Sequence, residues 1–281
     1  MATGDLTTVT KFKLFAGISA TTYDTLLADL VSQVSQLIAL YCDRVFESTS
    51  YRSWLDGSGS QLMRLPNYPI TAIQEVGIDY VDVAEIKNTT AQQANVTIDG
   101  TNCILLSFNT SGVETTTTLA LATYKTLATL KTAIELISGW TVLWQSSYSG
   151  TPSLHIRPFY GADASSPSSA SINIPYNKSA VSLLDDCTIL AEDFCHFPDG
   201  RANIFVRYTA GYTLVSDAAA GTEPAGLVLL ANTVLQDLFQ SKGQSGQFRS
   251  ESLGDYSYSR GEITGFIEAR ANMALPFMRV I

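Results

Sequence analysis

Apolar residues recur at intervals of three and four through residues 21–45, at Tyr23, Leu26, Leu27, Leu30, Val31, Val34, Leu37, Ile38, Tyr41, Cys42 and Val45. This spacing gathers them on one broad stripe and predicts a helix of about seven turns, opening near Thr21 with Asp24 as a weak capping box. A shorter helix over residues 8–16 precedes it and stops at Gly17, where a left-handed cap is easiest for glycine. A third begins at Thr222, with Pro224 in its first turn and Leu227, Leu230, Ala231, Val234, Leu235 and Leu238 as its stripe. The last runs over residues 262–274, with Ile263, Phe266, Ile267, Arg270 and Met273 along one side. Pro276 ends it and leaves an apolar tail, Phe277, Met278, Arg279, Val280 and Ile281, whose packing on its own core is difficult from beyond a proline.

Between the second and third helices the period shortens to two. Residues 51–70 read as a hairpin around an Asp56–Gly57–Ser58–Gly59 turn, stopped by Pro66 and Pro69, followed by a strand over residues 72–78. From about residue 84 the composition shifts to Thr, Asn, Ser and Ala. Ile98 and residues 103–108 flank an Asp99–Gly100 turn and read as paired strands, residues 124–138 as a helix stopped by Gly139, and residues 140–144 and 154–158 as strands. A Ser/Pro-rich linker over residues 161–170 closes this stretch, and strands follow near residues 188–194 and 203–209. The expected class is α+β. A helical core of about four helices with a β-hairpin, residues 1–84 and 197–281, carries an inserted β-rich domain with one helix, residues 85–196.

The chain has 281 residues, 46% hydrophobic and 15% charged, enough for two compact units and poor in charge at the surface. Lys and Arg number 17 against 26 Asp and Glu, a formal charge of -9. That argues against a protein built to grip nucleic acid through its phosphates, but not against one that nucleic acid slides past without sticking. The N-terminus lacks a basic start and an apolar stretch, and no apolar run reaches membrane-spanning length. Synthesis in the cytoplasm, with no membrane partner and free thiols at Cys42, Cys103, Cys187 and Cys195, is the expectation.

Candidate chemistry is sparse. His155 and His196 stand in no metal or triad spacing, and Cys187, Cys195 and His196 lack zinc-knuckle spacing. Asp185–Asp186 and Glu192–Asp193 are adjacent pairs that a strand sends to opposite faces. Ser241–Gly246 lacks the ending of a phosphate loop. These patterns predict no enzyme, no catalytic residue, no metal and no cofactor. A rival from another class is a carbohydrate- or receptor-binding module built on Trp140, Trp144, Tyr148 and Tyr160 of the insertion.

Three strings carry a resemblance: Tyr51-Arg-Ser-Trp-Leu-Asp-Gly-Ser-Gly-Ser-Gln-Leu-Met-Arg-Leu-Pro-Asn-Tyr-Pro-Ile70, Val206-Arg-Tyr-Thr-Ala-Gly-Tyr212 and Ser250-Glu-Ser-Leu-Gly-Asp-Tyr-Ser-Tyr-Ser259, each beside the expected helix. In order and wording the chain resembles the head-tail connector (adaptor, head completion) proteins of long-tailed bacteriophages, over roughly residues 1–80 and 197–281. The resemblance implies a structural virion protein of the head-tail neck, forming a ring of twelve copies beneath the portal and extending the DNA channel. Its partners would be itself, the portal protein and a downstream neck, stopper or tail-terminator protein, with DNA passing through unbound. It implies portal docking through Phe266, Arg270, Met273, Phe277, Met278, Arg279, Val280 and Ile281. Asp56, Ser58, Gln247, Phe248, Arg249, Asp255, Tyr256 and Tyr258 would face neighbours or the lumen.

Overall fold

In a computed structural model of the chain, the described residues are 4–178, 180–192, 196–215, 221–241, 250–253, 256–259 and 270–278. In chain order the elements are α1 (Val9–Ala16), α2 (Asp24–Tyr41), β1 (Thr49–Gly57), β2 (Leu62–Arg64), β3 (Ile70–Asn88), β4 (Gln93–Ile98), β5 (Asn102–Phe108), β6 (Glu114–Ala120) and α3 (Leu127–Glu135). There follow β7 (Trp140–Trp144), β8 (Phe159–Asp163), β9 (Ala170–Lys178), β10 (Val181–Leu183), β11 (Thr188–Ala191), β12 (Gly200–Ala210), α4 (Ala225–Ser241), β13 (Ser250–Leu253), β14 (Tyr256–Ser259) and α5 (Ala271–Ala274). The class is mixed α+β. The chain divides into two compact units, residues 1–49, 65–71 and 209–281 in one, residues 50–64 and 72–208 in the other.

The first unit is helical. Thr8 caps α1 by accepting from the Lys11 N–H, and Gly17, at φ 69°, ends the helix in the left-handed region glycine tolerates. Asp24 does not close a capping box. Its carboxylate instead takes the Lys13 ammonium at 2.8 Å, at a helix N-terminus where the backbone dipole also favours negative charge. Helix α2 stops at Tyr41, short of the seven turns expected, and its buried stripe is narrower: Leu27, Val31, Val34 and Ile38, with Leu26 and Val45 exposed. Against that stripe pack Phe12, Phe46 and the α4 residues Leu227, Leu230, Ala231, Val234 and Leu235. Burying each such side chain is worth roughly 1.5–3 kcal/mol, so the helices are held by their shared core more than by local propensity. Polar groups within it are matched. Ser35 Oγ accepts from the Leu6 N–H at 2.9 Å, and the Thr7 hydroxyl donates to Asn232 Oδ1 at 2.8 Å.

The second unit is β-rich. One sheet runs β1–β12–β3–β7, with β9 also pairing β3, and another runs β6–β5–β4–β8. Its core includes Ile86, Val96, Ile98, Leu105, Leu121, Leu130, Ile134, Trp140 and Ile172. The β4–β5 hairpin forms as the sequence predicts, with Ile98 opposite Cys103. Its turn is held by Asp99, whose carboxylate accepts from the N–H groups of Thr101 at 2.8 Å and Asn102 at 2.6 Å. Those two backbone donors, Thr101 first, hold its pKa down at about 2.

Several expectations are corrected. The predicted hairpin of residues 51–70 does not form. Strand β1 pairs β12, whereas β2 joins β11 and β10 in a separate sheet. The strand expected over residues 72–78 is the start of the 19-residue β3, which runs unbroken through residue 84 and at Ala84 pairs both Trp144 and Ile172. Residues 154–158 are not a strand: a 3-10 turn, Ser153–His155, occupies them, preceded by Pro152. The supposed linker begins inside β8 and reaches β9, and its Ala164 is fully buried. Strands β6, β9, β10, β13 and β14 were not expected. Most of the predicted last helix lies outside the described residues; its α-helical part ends at Ala274, as the proline at 276 predicts, and Pro276 itself sits in a 3-10 turn, Leu275–Phe277.

Candidate interaction site around the C-terminal segment

Arg44 follows α2 in the turn that begins at Cys42, and its guanidinium collects three aromatic rings of the helical unit. The ring centroids lie at 3.9 Å for Tyr68, 5.0 Å for Phe46 and 6.0 Å for Tyr212. The same fork donates hydrogen bonds to the carbonyls of Tyr68 and, at 3.2 Å, Phe277. The Tyr68 hydroxyl then donates to the Met278 carbonyl at 2.6 Å. Only a planar, multiply donating cation serves both carbonyls while stacking on a ring.

The C-terminal segment is thereby tied to its own unit. Phe277 is 9% exposed within the core formed with α2 and α4, Met273 and Met278 pack against it, and Arg270 pairs with Asp237 at 2.6 Å. This corrects the premise that residues beyond Pro276 lack room on their own core: the ring of Phe277 passes close to Gly226, where a side chain would touch it at 3.4 Å. Other apolar side chains of this unit, one of them in the same segment, stay exposed. Leu14 is 85% exposed, Leu40 79% and Leu275 59%. Phe266, Arg279, Val280 and Ile281 lie outside the described residues.

The loop residues proposed to face neighbours fare differently. The Asp56 carboxylate accepts from the Ala202 N–H at 2.6 Å, Gly57 donates to Asn203 Oδ1 at 2.9 Å and Gly59 to the Phe197 carbonyl at 2.9 Å. Asp56 thus fastens its own unit, while Ser58 is exposed. Tyr256 and Tyr258 belong to β14, paired with β13 from Ser250 opposite Ser259 to Leu253 opposite Tyr256. Gln247, Phe248, Arg249 and Asp255 lie outside the described residues.

Among the described residues the titratable groups form no catalytic arrangement. His155 is buried with Nδ1 4.0 Å from Glu75 Oε2, beside Phe205, and Arg207 Nε approaches the same oxygen at 3.6 Å. Asp185 accepts from the N–H of Cys187 and of Thr188, which lowers its pKa, the Cys187 bond contributing most. His196 is exposed and Cys195 lies outside the described residues. Among the described residues no three His, Cys, Asp or Glu side chains are grouped to hold a metal ion, and no helix is long and apolar enough to cross a membrane. The aromatic set of the rival reading does not form one surface. Trp140 is buried, Trp144 and Tyr148 pack against the core, and Tyr160 alone of the four is exposed, at 73%.

Sequence reasoning missed Arg44 and Tyr68. The available signal was an arginine directly after an apolar stripe and a tyrosine between two prolines, which is weak without the fold that joins them.

No curated protein matches the chain. The family model described as head completion protein matches residues 5–140, from ahead of α1 to the first residue of β7, and so runs past residue 84. Proteins of this family are structural components of the phage head and neck, not enzymes, and over residues 5–140 the chain is similar to the head completion protein family.

Proposed function

We propose that this protein completes the filled head as an adaptor: a ring of twelve copies beneath the portal, prolonging the DNA channel and offering a platform to a neck, stopper or tail-terminator protein. The family match carries the reading. Three further features support it. The order of the three adaptor-like strings is kept, the charge of -9 disfavours retention of DNA in a channel, and apolar side chains such as Leu14 and Leu40 remain on the helical unit.

Portal docking is assigned to the outer face of the C-terminal segment and the residues beyond it, Arg270, Leu275, Arg279, Val280 and Ile281. Phe277 and Met278, which the unit itself holds, act as the anchor. Removing residues 279–281 from the full chain tests this. The truncated protein should melt at the wild-type temperature yet co-sediment poorly with purified portal-bearing heads. Unchanged co-sedimentation would move docking to another surface, and failure of the wild type to bind such heads at all would overturn the adaptor reading.

A further inference from the structure

Strand β6 is the outer strand of its sheet and lacks the devices that normally blunt an edge. It pairs β5 in unbroken register from Asn102 opposite Ala120 to Phe108 opposite Glu114. Its seven residues, Glu-Thr-Thr-Thr-Thr-Leu-Ala, contain no lysine and no proline, and the one charge is at the first position. The opposite edge strand, β8, is irregular, its pairing with β4 shifting register between Val96 and Ile98. Among the described residues no strand or isolated bridge takes the outer side of β6, so alternate N–H and C=O groups there point at solvent.

A second, independent feature lies beside that edge. A groove of about 660 Å³ is lined by Leu119 of β6, by Tyr124, by one flank of α3, including Ala128 and Thr132, and by Leu136 and Ile137 just after that helix. No β5 residue lines it, which places it next to the edge strand and not over the middle of the sheet. Its lining contains no charged side chain. Leu136, at the end of α3, is 83% exposed, an apolar side chain left in water at the rim. Along β6, Leu119 is buried and Thr117 half-buried, while Thr115, Thr116 and Thr118 are exposed, so the odd-numbered side faces inward over the second half of the strand. A strand laid on the β6 edge would send alternate side chains to that same side, into the groove.

We propose that this edge and groove bind an extended, uncharged segment of a partner protein by strand addition to β6, its alternate aliphatic side chains filling the space against α3. The backbone groups of β6 require an extended segment, about six residues long to match the strand. The uncharged lining sets the side-chain chemistry, because a charged group entering would lose its water without gaining a partner. Nothing in this proposal depends on the ring or on portal docking.

The test uses the full chain and a fluorophore-labelled, amidated hexapeptide, Thr-Val-Thr-Leu-Thr-Val, followed by fluorescence anisotropy. Saturable binding is expected, with at least about a tenfold loss of affinity on Leu136→Lys, a change at an exposed position that should leave the melting temperature unaltered. The same peptide N-methylated at alternate residues, in both phases, should lose binding in the phase that faces β6. Hydrogen exchange of the β6 amides should slow on peptide addition. No saturable binding at millimolar peptide, equal affinity in the Leu136→Lys variant, or equal binding of both N-methylated peptides overturns the proposal. Self-association of the wild type that Leu136→Lys abolishes would assign the edge to a second copy and overturn it equally.

Discussion

Replacing Arg44 by alanine removes from the helical unit a stacking cation and two charged donors at once. The carbonyls of Tyr68 and Phe277 lose their shared partner, and the rings of Tyr68, Phe46 and Tyr212 lose the guanidinium between them. A hydrogen bond from a charged donor contributes about 1.5–3 kcal/mol and a cation over an aromatic face about 0.5–1 kcal/mol at a half-exposed site. Arg44 is only half-buried, so water replaces part of what is lost, and the net cost should be about 3 kcal/mol rather than the full sum. Arg44→Lys keeps the charge but not the fork. It should recover one of the two bonds and cost about 1–2 kcal/mol. Urea unfolding followed by far-ultraviolet circular dichroism reports on α1, α2 and α4, which dominate the helical signal. A loss under about 1 kcal/mol for the alanine variant would refute the view that Arg44 fastens the C-terminal segment. So would identical losses for alanine and lysine, since the fork would then contribute nothing.

Other consequences are equally open to measurement. Asp99 has a folded pKa of about 2, below its ordinary value of 3.8, so its contribution is fully present above about pH 4 and is lost as pH falls through 2. A carboxyl-carbon NMR titration with a midpoint near 4 would contradict the Asp99 turn geometry. Burial raises the Cys103 thiol to about 12 and the Cys42 thiol to about 11, so a disulfide-exchange reagent at pH 8 should label the half-buried Cys187 well before either. Mass spectrometry showing Cys103 labelled as fast as Cys187 in the folded protein would argue against the β4–β5 core. Gly139→Ala puts a Cβ 2.1 Å from Thr90 Oγ1 at φ 84°, and should destabilise the β-rich unit by about 2–3 kcal/mol, read as a lower melting temperature. A neutral result would mean that the turn after α3 is wrongly placed.

The helices were legible because their signals are local. The three-and-four spacing of Leu27, Val31, Val34 and Ile38, the Thr8 cap and Gly17, and the α4 run from Leu227 to Leu235 need no distant partner to be read. The Asp99–Gly100 turn gave β4 and β5 for the same reason. What failed depended on long-range pairing. Residues 51–64 alternate like a hairpin, yet β1 finds β12 and β2 finds β11, partners more than 120 positions away. Strand β6 escaped notice because four threonines carry little hydrophobic contrast between its faces. The change in composition near residue 84 reflects a less charged surface, not a break in the chain path, since Ala84 sits mid-strand between two neighbours. The fate of Phe277 was hidden too, because the groove that receives it is built by α2 and α4, far away in sequence.

The central claim is that this chain is a structural part of the phage head and neck. Electron microscopy of particles made by a phage in which its gene carries an early stop codon tests that most directly. The account predicts heads that package DNA but leak it and lack tails, with infectivity restored when the intact protein is supplied. Complete, tailed and infectious particles made in its absence would contradict the account.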